Sequence, residues 1–458
     1  MIINKEKISK QNSPAVERSQ IRGSVEDVIN RTKVIDVHTH LFSREFGDLG
    51  LYGIDELLTY HYLVAEMFRS ASVSPEFFWR MSKTAQADLV WKTLFVENTP
   101  LSEATRGVIT LLNAFGLNTA APDLAEARGF FGSKDPAGHI DRVLEISGVS
   151  SVVMTNDPFD GKETQIWEKG LESDPRFLSS LRMDRLLNDW QKTRAKLSQQ
   201  GYEVEAEFNE KTVSEVRRFL EKWIALMNPL YLAVSLPDDF IYPAGPSDGA
   251  RDMMLQKVVL PTARDHGIPL SLMIGVRRRV NPALHAAGDG VGRADVKAVE
   301  NLCRENPDVR FLTTFLSREN QHELCVAARK FSNLMPFGCW WFLNNPSTVA
   351  EITRERLEML GTSFIPQHSD ARVLEQLIYK WAHSRKIFID VLTETYEQIF
   401  DAGRAINLSG IERDVKRLFS GNFSDWINPA ITLQSDKSNG NGAEKLTLRN
   451  KIGIRGIE

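Results

Sequence analysis

The chain has 458 residues, 42% of them hydrophobic and 25% charged, the composition of a globular protein with ample material for a large core. Its 56 lysines and arginines against 60 aspartates and glutamates leave a formal charge of −4. No global basic field is available to draw in nucleic acid or an anionic membrane, so an anionic ligand must be held by local arginines.

In chain order, residues 1–32 read as a helical lead-in, and its start, MIINKEKISKQNSP, lacks the apolar stretch of a secretion signal. Short apolar, β-branched runs then recur: KVIDVHTH (33–40), VSSVVMTNDP (149–158), RFLSSLRMD (176–184) and PLYLAVSLP (229–237). PLSLMIGVR (269–277), VRFLTTFLSR (309–318), NLMPFGCWWF (333–342) and GTSFIPQHSD (361–370) complete the set. Each is short enough for a strand and too continuous for an exposed amphipathic helix, the pattern of a strand buried on both faces. Helical stretches, such as 211–227 and 372–383, lie between them. Eight strands alternating with helices predict an α/β fold, a closed parallel (β/α)8 TIM-type barrel over 33–49 and 146–432. An open doubly wound sheet is the runner-up, but no Gly-rich phosphate loop follows any run.

One gap breaks the rhythm. Roughly a hundred residues separate the first run from the second, far more than a usual loop and helix. Helical periodicity over 54–69, 75–97 and 101–115 predicts an inserted helical subdomain, 50–145, standing on the barrel mouth. The segment 433–458, with its SDKSNGNGAEK stretch, reads as a disordered tail. No stretch reaches the ~20 apolar residues of a membrane span. The three cysteines, Cys303, Cys325 and Cys339, make neither a disulfide framework nor a zinc ribbon, which suits a reducing, cytoplasmic setting.

The strongest chemical feature is His38-Thr39-His40 at the end of the first run. Side chains two apart on a strand share a face, so both imidazoles can converge on one metal ion at the barrel mouth. A divalent ion also needs a carboxylate, and Asp370 in the last run is the natural third ligand, with a helix N-cap as its competing explanation. His368, one step earlier, reads more readily as a packed strand residue.

VIDVHTHLF, IDELLTYHYLVAEMFR, TNDPFD, SRENQHELCVAARKFSNLMPFGCWWFLNNP and EMLGTSFIPQHSDARVLEQLIYKW, spread over residues 25–425, together resemble the bacterial uronate isomerases of the amidohydrolase superfamily. HxH alone would indicate only the superfamily; the His-Tyr pair, the CWWF run and the SDAR ending are more specific. The resemblance implies one divalent ion, commonly Zn2+, on His38, His40 and Asp370. It also implies substrate handling by His61 and Tyr62, with Arg372 and Arg182 from the last and third strands. On a helix His61 and Tyr62 lie about 100° apart, so both can flank one cleft. Taken alone, His61 shares a helical face with Leu57, Val64 and Phe68 and reads as a core histidine. Arg182 and Arg372 suit a carboxylate or enediolate, whose two oxygens a guanidinium can fork. Of Arg277, Arg278 and Arg279, one at most reaches the substrate. Trp340 and Trp341 are expected to alternate across a strand, one walling the sugar and one packing outward. Asp157 matches a motif, although an Asx turn before Pro158 explains it locally.

One departure stands out. Where many amidohydrolases carry histidines on strands five and six, this chain has Met273, Thr313 and Thr314, which argues against a binuclear centre. The expected reaction is reversible aldose–ketose isomerisation, D-glucuronate to D-fructuronate and D-galacturonate to D-tagaturonate. Asp370 and His61 would open the ring, and Tyr62 or a hydroxide on the metal would move the proton between C2 and C1. The rivals are a metal-dependent hydrolase or decarboxylase of the same superfamily and a sugar-acid binding protein on a decayed barrel. The expected partner is a small sugar acid, with neither nucleic acid nor membrane; a homo-oligomer is left open.

Overall fold

The computed structural model describes residues 15–170, 174–244 and 249–428; the expected tail, 433–458, and residues 1–14 of the lead-in lie outside them. Seven strands pair in sequence order, all parallel, into one curled sheet: β1 (Val34–Thr39), β2 (Val149–Asn156), β3 (Phe177–Arg182), β4 (Leu232–Pro237), β5 (Leu270–Arg277), β6 (Phe311–Phe315) and β7 (Leu334–Pro336). Helices separate successive strands, which makes the fold α/β and TIM-like. The continuous apolar runs are explained by burial on both faces: β6 is buried throughout, and β5 everywhere but Arg277.

The eighth run does not form a strand. Residues 361–370 make a single parallel bridge, Ile365 with Phe337, and are otherwise irregular. Pro366 has no N–H for a ladder, and Asp370 takes a left-handed backbone at φ 52°, so the extended conformation is interrupted twice. The segment still joins both sheet edges. Ile365 N donates to Pro336 O at 3.0 Å, beside β7, while Asp370 N donates to His38 O at 3.1 Å and His40 N to Ala371 O at 2.7 Å. Gly338 must be glycine here: its φ is 67°, and a Cβ would meet the His368 ring at 2.0 Å.

The helical stretch between β1 and β2 is more broken than its periodicity suggests. The expected helix 54–69 splits into Ile54–Leu58 and His61–Met67, with Tyr60 extended between them at φ −67° and ψ 143°. Thr59 Oγ1 donates back to Asp55 O at 2.7 Å and helps close the first piece. The stretch 75–97 becomes Pro75–Arg80, Lys83–Trp91 and a wider turn, Lys92–Val96, with Ser74 and Ser82 capping the first two. Glu103–Ala114 and Glu210–Met227 form close to their expected ranges, whereas the helix expected at 372–383 is Gln376–Asp401.

Val64, Leu111 and Phe131 from this helical stretch belong to the same continuous hydrophobic cluster as Val152, Leu272 and Phe315 of the sheet. The attachment is specific. Gly107 lets Glu103–Ala114 approach Gln376–Asp401 so closely that a Cβ would meet the Tyr379 ring at 2.6 Å. Buried Glu375 Oε1 lies 2.9 Å from Gly53 N and 2.7 Å from His139 Nε2, so one carboxylate ties both ends of the stretch to the segment after Asp370. Among the described residues no helix is long and apolar enough to cross a membrane.

Candidate active site

At the carboxyl end of β1 the alternation of the strand brings His38 and His40 to one side, and the backbone bonds to Asp370 and Ala371 set the last segment beside them. Nε2 of each histidine lies 3.5 Å from Asp370 Oδ1, and the three donor atoms all fall within 4.8 Å of one another. Donors bound at about 2.1 Å around one tetrahedral ion stand about 3.4 Å apart, so the set fits a single divalent cation. Asp370 caps no helix, since the next one begins at Gln376; its left-handed backbone turns it towards the histidines instead.

The protonation states agree with this reading. Burial, aided by the charge of Arg372, pulls His40 down to about 3. Burial works against ionisation of Asp370, but hydrogen bonds from His38 and His40 outweigh it and hold the carboxyl well below the usual range. An ionised carboxylate beside a neutral imidazole is the state that metal binding requires. Beneath lies Asp36, fully buried, whose Oδ1 accepts from Ser369 N at 3.0 Å and whose Oδ2 accepts from Trp381 Nε1 at 2.8 Å. It fixes the segment carrying Asp370 to β1.

Above the donor set opens a cavity of about 380 Å³. Of the candidates, His38, His40, His61, Arg182, Trp340, Trp341, Asp370 and Arg372 all line it, together with Met273 from β5. His61 is pulled down to about 3 by burial and by Arg372, so it is a neutral imidazole, and its Nε2 is buried without a hydrogen-bond partner. Arg182 is forked on Asp184 at 3.0 Å for both contacts. No acidic group pairs with the Arg372 guanidinium among the described residues.

Three expectations need correction. Tyr62 does not line the cavity with His61: the break at Thr59 and Tyr60 restarts the helix, and Tyr62 packs beneath Lys380, whose ammonium is 5.3 Å from its ring centre. Trp340 and Trp341 do not alternate across a strand, because Trp341 has φ 47° and opens a short turn, Trp341–Leu343, so both face the cavity. Asp370 lies in no strand, as described above. Elsewhere, Asp157 is held by Arg185 at 3.0 Å and accepts from Phe159 N at 2.9 Å, the local turn role. Thr313 and Thr314 are buried outside the cavity lining, and the His368 ring packs 5.1 Å from that of His38. Of the arginine run only Arg278 lines the cavity, paired with Asp289 at 2.6 Å.

Several lining residues escaped the sequence reading: Tyr60, Trp79, Asp184, His285 and Asp289. Trp79 and His285 stack with centroids 4.5 Å apart, and Trp79 Nε1 donates to Ala283 O at 2.9 Å, which docks the loop after β5 on the helical stretch. Only Asp184 carried a local signal, two residues after a strand-end arginine.

No protein-family model matches the chain, and no curated protein matches it either. Solved structures do. A uronate isomerase from Bacillus halodurans C-125 superposes with a TM-score of 0.88 at 52% identity, covering 90% of this chain and 97% of that one. A uronate isomerase from Thermotoga maritima gives 0.72 at 15% identity, covering 88% and 97%. A glucuronate isomerase from Caulobacter crescentus gives 0.63 at 13%, covering 94% and 99%. The two distant structures speak for the fold. The first, more than half identical over nearly the whole chain, establishes kinship: the protein belongs to the uronate isomerase family.

Proposed function

We propose that this uronate isomerase interconverts hexuronates, D-glucuronate with D-fructuronate and D-galacturonate with D-tagaturonate, at one divalent ion, which we take to be Zn2+. The observation that carries the reading is the donor set of His38, His40 and Asp370 on the floor of a cavity whose walls hold arginines. A bound divalent ion supplies Lewis-acid polarisation of the sugar's carbonyl and hydroxyl oxygens. The unpaired guanidinium of Arg372 is suited to fork the carboxylate or the enediolate, and Arg182, already neutralised by Asp184, orients rather than attracts. Asp370 and neutral His61 exchange the ring-opening proton, while Trp340 and Trp341 wall the sugar. Tyr62 keeps its role as proton carrier between C2 and C1 only if substrate reaches past Tyr60.

We further read the sheet and its eighth segment as a complete (β/α)8 barrel of the amidohydrolase kind, with 50–145 as an insertion over its mouth, in a cytoplasmic protein acting on a small sugar acid. Turnover of glucuronate and galacturonate, followed by proton NMR in H₂O and in D₂O, tests the function. Isomerised ketose with deuterium at C1, or deuterium at C2 of the aldose in reverse, is the expected result. A hydrolysed or decarboxylated product would transfer the site to the rival chemistries. Retention of protium with an intact rate in Tyr62→Phe and His61→Asn would remove the acid–base pair.

A further inference from the structure

Tyr60 reaches the cavity for a reason that lies in the chain break. In a continuous helix over 54–69 it would lie three residues after Leu57 and four before Val64, both core residues, and would turn inward with them. Instead the helix ends at Leu58 and restarts at His61, and Tyr60 stands extended between the two pieces. Its ring lies 4.1 Å from that of His61 and 5.2 Å from that of Tyr62, and it lines the cavity with His61, Asp370 and Arg372. Tyr62 is not among the residues that line the cavity; its ring carries Lys380, which is itself held by Glu103 at 3.2 Å. The Tyr60 hydroxyl has no protein hydrogen-bond partner among the described residues, although it lies within electrostatic reach of Asp370 and Arg372.

We propose that Tyr60 is a substrate-contacting residue, donating a hydrogen bond from its phenol to an oxygen of the bound uronate. This rests on the uronate reading above. Burial and the charge of Asp370 push its ionisation upward, so the phenol stays protonated and acts as a donor. A neutral donor gains most when its acceptor becomes negative, as the sugar oxygens do once the C2 proton leaves, so the contact favours the transition state over the ground state. No proton is transferred, which leaves the ring-opening and C2–C1 steps to other groups.

Tyr60→Phe removes the hydroxyl and keeps the ring. The expected result is a fall in kcat/KM of roughly tenfold to a hundredfold, carried mainly by kcat, with metal content and melting temperature unchanged. Wild-type kcat/KM in the variant overturns the proposal, and so does a loss that tracks metal content or melting temperature. Should the wild-type protein itself turn over neither uronate, the functional reading has failed, and Tyr60 is judged by binding of an open-chain aldonate. Weaker binding to Tyr60→Phe then supports the contact, and equal binding overturns it.

Discussion

The floor and the wall of the cavity are built on different principles. The floor is sheet-borne: His38 stands on β1 and His40 just beyond its end, Asp370 is tied to them through backbone hydrogen bonds, and Asp36 locks the two segments together from below. His38 and Asp370 are buried and His40 half-buried, and backbone bonds of 2.7–3.1 Å hold the segment carrying Asp370, as a metal site needs if its ligands are to stay preorganised. The wall is carried by short helices and a loop. Tyr60 lies in a helix break and His61 opens the helix after it, and Trp79 and His285 hold the loop after β5 by a stack whose histidine is exposed. A rigid floor suits a fixed ion, and a loosely docked wall suits a substrate that must enter, open its ring and leave.

That contrast can be broken at its strongest point first. His38→Ala should drop metal content from about one equivalent to near none and cut turnover by more than about a hundredfold, with the fold retained. Metal analysis beside circular dichroism checks both halves; full metal retention would place the ion elsewhere. Asp36→Ala comes next. It strands Ser369 N and Trp381 Nε1 in the interior and should cost about 2–5 kcal/mol in urea unfolding, with weaker metal binding. A stability loss without any change in metal affinity would uncouple Asp36 from the placement of Asp370.

The smallest effect is expected in the wall. Trp79→Ala loses an exposed stack and one hydrogen bond, about 1 kcal/mol, and should leave metal content untouched while amide exchange over 282–288 accelerates. If this variant destabilised the protein as much as Asp36→Ala, the wall would be as rigid as the floor and the contrast would fall.

By itself, the sequence located the α/β class, the seven strands that form, an eighth that does not, and the three candidate donor residues His38, His40 and Asp370. These follow from rules that act along the chain: a strand buried on both faces must be apolar without interruption, and residues two apart on it share a side. His38 and His40 were legible for that reason, Asp370 as the carboxylate such a pair needs, and the family resemblance added His61, Arg182 and Arg372. Helical periodicity likewise located the stretch between β1 and β2, but it could not show the break at Thr59 and Tyr60. Leu57, Tyr60, Val64 and Phe68 fit one helical face as well as they fit two shorter helices. The left-handed backbones of Trp341 and Asp370 were not legible either: a tryptophan rarely takes a positive φ, and an aspartate takes one more readily but at few of its positions. Only the tertiary structure decided that Tyr60 rather than Tyr62 faces the cavity, that both tryptophans do, and that Asp184 and Asp289 accompany the arginines. Those outcomes depend on where separate segments dock, and docking is set by packing between residues far apart in the chain.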